Sequence, residues 1–264
     1  MPRLFLDSLP LVMQLVRQEL VDRHKGSVLG RTWTLIGPLV TILVFVLVFS
    51  RIMGARLEGF GAEIDQYTYS IYLICGILPW MAFARSLERI TNLFVAQAHL
   101  ITKVRVSLKA LPLSVLIAES VTHLIGMLIF ALFLMLVGYP FSAWWVGLPL
   151  VFALQCAFLY GLGLCLAVLA SYLKDIRETV AVSLQLWFWV TPIVYVADIL
   201  PDWTQGLLAL NPMFHFVGAY RDLIMRQQLP STSGLLVLAV ITVAFICLAF
   251  WLLSRTERDL RDSF

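Results

Sequence analysis

The chain has 264 residues, of which 61% are hydrophobic and only 13% charged, with a net charge of +3. A soluble domain carries about twice that charged fraction. A chain this apolar has too little polar side chain to cover a water-exposed surface, so composition argues against a soluble enzyme and places it among integral membrane proteins.

The N-terminal stretch MPRLFLDSLPLVMQLVRQEL is not a secretory signal, because Asp7 and Pro10 interrupt it and no small-residue cleavage site follows. From Ser8 onward it reads as an amphipathic helix. Leu11, Val12, Leu15, Val16 and Leu20 share one face, and Gln14, Arg17, Gln18 and Asp22 mark the other. Such a helix lies in a membrane surface or packs on a partner, and periodicity does not separate the two. Residues 23–39, RHKGSVLGRTWTLIGPL, then set basic residues, two glycines, Trp33 and Pro38 ahead of a long apolar run. Basic residues and an interfacial tryptophan are the usual anchors of a span's entrance, and Gly26 and Gly30 give a surface helix room to turn inward.

A bilayer core needs about 20 mostly apolar helical residues. Six runs meet that length: 34–53, 68–87, 111–137, 144–170, 179–199 and 233–253. Lysine and arginine placement predicts their orientation. Fifteen of the 19 basic residues fall in the N-terminal segment, the loop from 85 to 109, the loop near 174 and the C-terminal tail. Arg51, Arg56, Arg221 and Arg226 fall on the other side. Both termini are therefore expected on the cytoplasmic side. The expected organisation is one all-α membrane domain over 1–264, with a cytoplasmic helix and entrance segment at 1–32, a six-span part at 34–253 and a cytoplasmic tail at 254–264.

Within the third run, Glu119 and His123 lie four residues apart and share a helix face. Ionisable groups inside a membrane are functional candidates by default. Two readings stand, a proton relay or cargo contact and a structural pairing, and the second is favoured because no further acidic sites recur as in a proton-driven carrier. The four cysteines, Cys75, Cys156, Cys165 and Cys247, sit inside apolar runs without a CxxC pair and read as small buried hydrophobes. Trp187, Phe188 and Trp189 form an aromatic run with Tyr195 beyond it, and Trp80 lies in the second run. Rings at this depth are either packing groups or a surface on which sugar faces stack.

Residues 198–232 are too long for a simple hairpin. Two short apolar pieces, WTQGLLAL and MFHFVGAYRDLIM, flank Asn211-Pro212, and neither is long enough to span. They predict two half-helices dipping back into the membrane, where irregular backbone is tolerated only against protein or a water-filled cavity. The chain has no GxxxxGK[ST] phosphate cradle, no HExxH, no GxSxG and no metal-ligand spacing. Its basic residues form no aromatic-interleaved patch for nucleic acid. Neither a catalytic residue nor a metal or cofactor site is expected in this chain.

These features resemble the polysaccharide-exporting ABC-transporter permeases of the second type, the Wzm- and KpsM-like membrane subunits. His24, Lys25, Ser27, Leu29, Gly30, Trp33 and Pro38 match one motif of that family, and Asn211, Pro212, Tyr220 and Arg221 match the other. The resemblance covers nearly the whole chain. It implies a homodimer working with two copies of a separate ATPase subunit that holds ATP and magnesium, in a bacterial inner membrane. It implies a lipid-diphosphate-linked glycan as cargo, met at the cytoplasmic mouth by Arg23, Lys25 and Arg31. It implies a coupling helix within 96–108, including His99, Leu100, Ile101, Thr102 and Lys103. Asn211, Pro212, Tyr220 and Arg221 become an outer gate, and Trp80, Trp187, Trp189 and Tyr195 channel aromatics. A drug or small-lipid exporter shares this architecture, and a membrane-embedded transferase acting on lipid-linked sugars is the rival from another class.

Overall fold

A computed structural model describes residues 8–22, 27, 30–52, 67–104, 106–197 and 200–263, and these are all helix, turn or loop, with no strand among them. Helix α1 (Leu9–Asp22) lies against its own chain. Ser107 N–H donates to Ser8 Oγ at 3.0 Å, and Val12 and Val16 bury against Ala110 with Leu20 and Leu113 beside them. The apolar face found in the sequence is therefore covered, at this end, by the start of α5 (Leu111–Leu136). Helix α2 (Trp33–Phe45) continues through a wider-pitched turn at Val46–Ile52.

Helix α3 (Thr68–Ala96) is the centre of the molecule. Ile71, Leu73, Ile74, Phe83 and Ile90 along it are completely buried. It runs nine residues past the expected end of the 68–87 span, and that extension carries Glu88 and Arg89. Helix α4 is short, Ala98–Lys103, so only the middle of the expected 96–108 coupling region is helical. Helix α6 (Leu148–Tyr172) is wedged between two others. A Cβ on Gly161 would lie 2.8 Å from the Ile246 backbone nitrogen, and one on Gly163 would lie 2.8 Å from Ile90 Cγ2. Small residues at such crossings let helices approach closely enough for dispersion contacts to hold them where lipid supplies no hydrophobic drive. The helix on the Gly161 side is α10 (Thr232–Ser263), which continues as helix through the segment read from sequence as a tail.

Among the described residues, five stretches are long and apolar enough to cross a membrane: Trp33–Ser50, Thr68–Ala96, Leu111–Leu136, Ala143–Tyr172 and Thr232–Glu257. The 179–199 run is not among them. Its helix, α7 (Asp175–Val190), has 16 residues and stops at Thr191, whose ψ of 126° is extended. Pro192 follows, and a residue before proline is pushed out of the helical region by the ring's Cδ. Two short helices come next, α8 (Asp202–Ala209) and α9 (Pro212–Arg221), the second continuing through a wide turn at Asp222–Arg226. Cys75 and Cys165 are buried as expected, but Cys247 is exposed on α10, because an apolar run does not reveal which of its faces a neighbour covers.

Candidate functional site

The Asn-Pro pair at 211–212 builds the first part of the site. Asn211 has extended backbone and caps α9, its Oδ1 accepting from Met213 N–H at 2.9 Å. Asparagine is a preferred cap, and proline at the first helical turn has no amide hydrogen to leave unpaired. The same Oδ1 accepts from Trp187 Nε1–H at 2.7 Å, and Nδ2 donates to Thr191 Oγ1 at 3.0 Å. One side chain thus starts α9 and holds the end of α7.

Arg221, at the other end of α9, is buried with 8% exposure. Its Nη1 donates to the Pro192 carbonyl at 2.7 Å and its Nη2 to the Ile193 carbonyl at 2.9 Å. The guanidinium carbon sits 3.5 Å from the centre of the Tyr72 ring. A Cβ on Gly76 would meet Nη2 at 3.1 Å, so the glycine makes room for the charge. The next two carbonyls are also taken from α3: Tyr69 Oη–H donates to Val194 O at 2.5 Å and Tyr72 Oη–H to Tyr195 O at 2.9 Å. Four successive carbonyls of a non-helical stretch are satisfied by side chains. That is the condition under which irregular backbone survives away from water. Tyr139, between α5 and α6, does the same for α9's continuation, with its hydroxyl 3.2 Å from Ile224 O and 3.1 Å from Met225 O. Burial pushes its phenol up to about 12, so it remains a donor.

The two ionisable residues singled out on α5 pair with neighbouring helices rather than with each other. Arg89 Nη1 bonds Glu119 Oε1 at 2.6 Å, and Arg89 Nη2 contacts Glu19 on α1. Glu119 is 3% exposed. His123 stacks on Phe152 and its Nε2 lies 3.3 Å from Tyr220 Oη.

The expected channel aromatics divide. Trp80 and Trp187 pack edge-on at 6.4 Å within a buried aromatic cluster that includes Phe83. Trp189 is 64% exposed, and Tyr195 donates to its carbonyl at 2.8 Å. A groove of about 480 Å³ between α3 and α7 is lined by Trp80, Phe188, Trp189, Glu88 and Gln185. On α4, Ile101 is the buried anchor, while His99, Thr102 and Lys103 are exposed and Leu100 is half-buried. At the entrance, Arg23 and Lys25 lie outside the described residues. Arg31 falls in a 3₁₀ turn, Gly30–Thr32, and the adjacent Trp33 Nε1–H donates to Ser27 Oγ at 2.8 Å. Sequence reasoning missed Tyr69, Tyr72, Gly76, Glu19 and Arg89. The one available signal was the Tyr69, Tyr72, Gly76 spacing of three and four, which places them along one stripe of α3.

Long apolar helices around a side-chain-stabilised break define a multi-pass membrane protein. Residues 10–225 match the family described as ABC-2 type transporter, and the chain belongs to that family. It is 29% identical over 260 residues to the O-antigen export system permease protein RfbA of Myxococcus xanthus, covering 96% of this chain and 94% of that protein. A Klebsiella pneumoniae protein of the same name is 28% identical over 83% of this chain and 82% of its own length. The inner membrane transport permease YadH of Escherichia coli K12 is 25% identical over 88% and 92%. Membership of a transporter family displaces the transferase reading.

Proposed function

We propose that this chain is the membrane subunit of an ATP-driven exporter that carries a lipid-diphosphate-linked polysaccharide, O-antigen or capsule in type, across a bacterial inner membrane. It works as a homodimer with two copies of a separate ATPase, in which ATP and magnesium are bound. The observation that carries the reading is near end-to-end similarity to a permease named for O-antigen export. The YadH match names no cargo, so it supports the transporter architecture without favouring the small-cargo rival.

In this reading the chain crosses six times, with both termini cytoplasmic. Helix α7 supplies about 24 Å of rise, and the non-helical residues after it supply the few ångströms still needed for a core of about 30 Å. Helices α8 and α9 form the re-entrant pair, and Asn211, Pro212, Tyr220 and Arg221 hold it as an outer gate. Helix α1 lies along the cytoplasmic surface. The exposed side of α4, with His99, Thr102 and Lys103, receives the ATPase, and Leu100 and Ile101 seat it on the bundle. Arg23, Lys25 and Arg31 receive the anionic lipid head. The groove at Phe188 and Trp189, with Glu88 and Gln185 at its edge, offers flat apolar faces beside hydrogen-bonding groups, the combination that suits a sliding glycan. Trp80 lines the same groove, and Trp187 and Tyr195 stand behind that surface as its support.

The test is a deletion strain, comparing polymer at the cell surface with polymer retained inside on its lipid carrier. Surface loss with internal accumulation, restored by this gene, supports the proposal. Unchanged surface polymer without internal build-up, in a strain lacking any second exporter, would overturn it.

A further inference from the structure

Between α2, α3 and α5 lies a cavity of about 20 Å³, with Leu78, Arg85, Glu119, Thr122, His123 and Gly126 among its walls. That is room for one water molecule. Three of these walls, Glu119, Thr122 and His123, are polar and are 3%, 7% and 6% exposed. His123 Nδ1 has no hydrogen-bond partner among the described protein groups. The Leu78 backbone lies beside the imidazole. Arg85 and Glu119 also line a larger charged cleft of about 440 Å³, together with Glu19, Glu88 and Arg89. The small cavity therefore adjoins a place where water has access.

We infer that this cavity is a binding site for a single buried water, which bridges His123 Nδ1 to the polar walls contributed by Glu119, Thr122 and Leu78. Two arguments select water over an ion or an empty space. Dry cavities in proteins are apolar, whereas this one offers the two to four polar partners a bound water uses. A neutral imidazole has one donor nitrogen and one acceptor nitrogen, so the role of Nδ1 is the complement of whatever Nε2 does toward Tyr220. Water donates and accepts and so serves either tautomer. A metal cation serves only an accepting nitrogen.

The water joins groups that are otherwise separate. Glu19 on α1 meets Arg89, and Arg89 meets Glu119. His123 meets Tyr220 on α9. With the water in place the polar chain is continuous from α1 to the helix that carries Arg221. The inference stands on these contacts and not on the nature of the cargo.

The test is millisecond X-ray radiolysis of the complete transporter in bilayers, where hydroxyl radicals formed from bound water oxidise the side chains beside it. After correction for intrinsic reactivity, His123 is expected to react several-fold faster than Phe83, which is completely buried and lines no such cavity. Gly126→Ala places a methyl group 3.3 Å from Leu78 Cδ2, the end of a flexible side chain, and at ordinary van der Waals distance, 3.5 Å, from Pro38 Cβ. It is expected to abolish the excess at His123 while leaving exposed Trp203 unchanged. Thr122→Val, which removes one polar wall at nearly constant volume, is expected to lower it as well. His123 reacting as slowly as Phe83 in the wild type, or as fast in both variants as in the wild type, overturns the inference.

Discussion

Replacing Arg221 by methionine tests the account of the break after α7. The substitution removes the donors to Pro192 O and Ile193 O, at 2.7 and 2.9 Å, and the cation over Tyr72. A buried acceptor left without a partner costs about 1–3 kcal/mol, so two orphaned carbonyls cost about 2–6 kcal/mol. Against this stands the relief of no longer burying a cation that has no carboxylate among its described partners. Breaking an arrangement by removing one side is nonetheless destabilising, because the remaining polar groups stay buried. The expected net effect is a loss of about 2 kcal/mol or more, seen as a fall of several degrees in the melting temperature of the purified transporter. Arg221→Lys keeps the charge but loses the planar fork, reaches one carbonyl instead of two, and is expected to fall between. Tryptophan fluorescence is a suitable probe, since Trp187 reports on this junction. An Arg221→Met protein that melts at or above the wild-type temperature would refute the reasoning.

Arg89→Leu is expected to destabilise, by up to about 3–5 kcal/mol, because it removes the guanidinium paired with buried Glu119; the double variant with Glu119→Gln should recover part of the loss in a denaturation assay. Gly161→Ala is expected to cost about 1–3 kcal/mol, measured the same way, since its Cβ would press on the rigid Ile246 backbone at 2.8 Å. Trp189→Ala, at an exposed position, should leave the melting temperature within a degree or two while lowering surface polymer in cells. The triple change His99→Ala, Thr102→Ala, Lys103→Ala should leave the chain folded but weaken co-purification of the ATPase.

The sequence made the helical class readable through its long apolar runs, and five of the six expected spans fall on long apolar helical stretches among the described residues. The 179–199 run is helical only as far as Val190, an end that a hydropathy window does not see because it sums side chains and is blind to backbone; the steric effect of Pro192 on Thr191 marks it. The second motif was legible in outline, since Asn-Pro predicts a helix start and Tyr220-Arg221 a polar end. The targets of those side chains were not. Arg221 reaches carbonyls 28 and 29 residues earlier, and Arg89 reaches carboxylates on two other helices. Helical periodicity tells which residues of one helix share a face, but not which face of another helix they meet. The same limit hid the sorting of the tryptophans, because Trp187 and Trp189 differ by two positions and so point to nearly opposite sides of α7.

The pattern of satisfaction around that break divides the molecule mechanically. Helices α3, α6 and α10 approach closely at Gly161 and Gly163, where an added Cβ would lie 2.8 Å from the Ile246 backbone nitrogen and 2.8 Å from Ile90 Cγ2. The stretch from Thr191 to Tyr195 is held instead by hydrogen bonds from Arg221, Tyr69, Tyr72 and Asn211, all side chains on other segments. A helix exchanges its internal bonds only by unwinding, whereas side-chain donors release and retake carbonyls by rotamer changes. Motion of α9 against the stretch after α7 therefore requires the release of two guanidinium hydrogen bonds, while motion of α6 against α3 requires repacking a close-packed interface. The difference separates an α7–α9 junction held by side-chain hydrogen bonds from α3–α6–α10 contacts held by close packing. It also explains why polar residues cluster at the first place and glycines at the second.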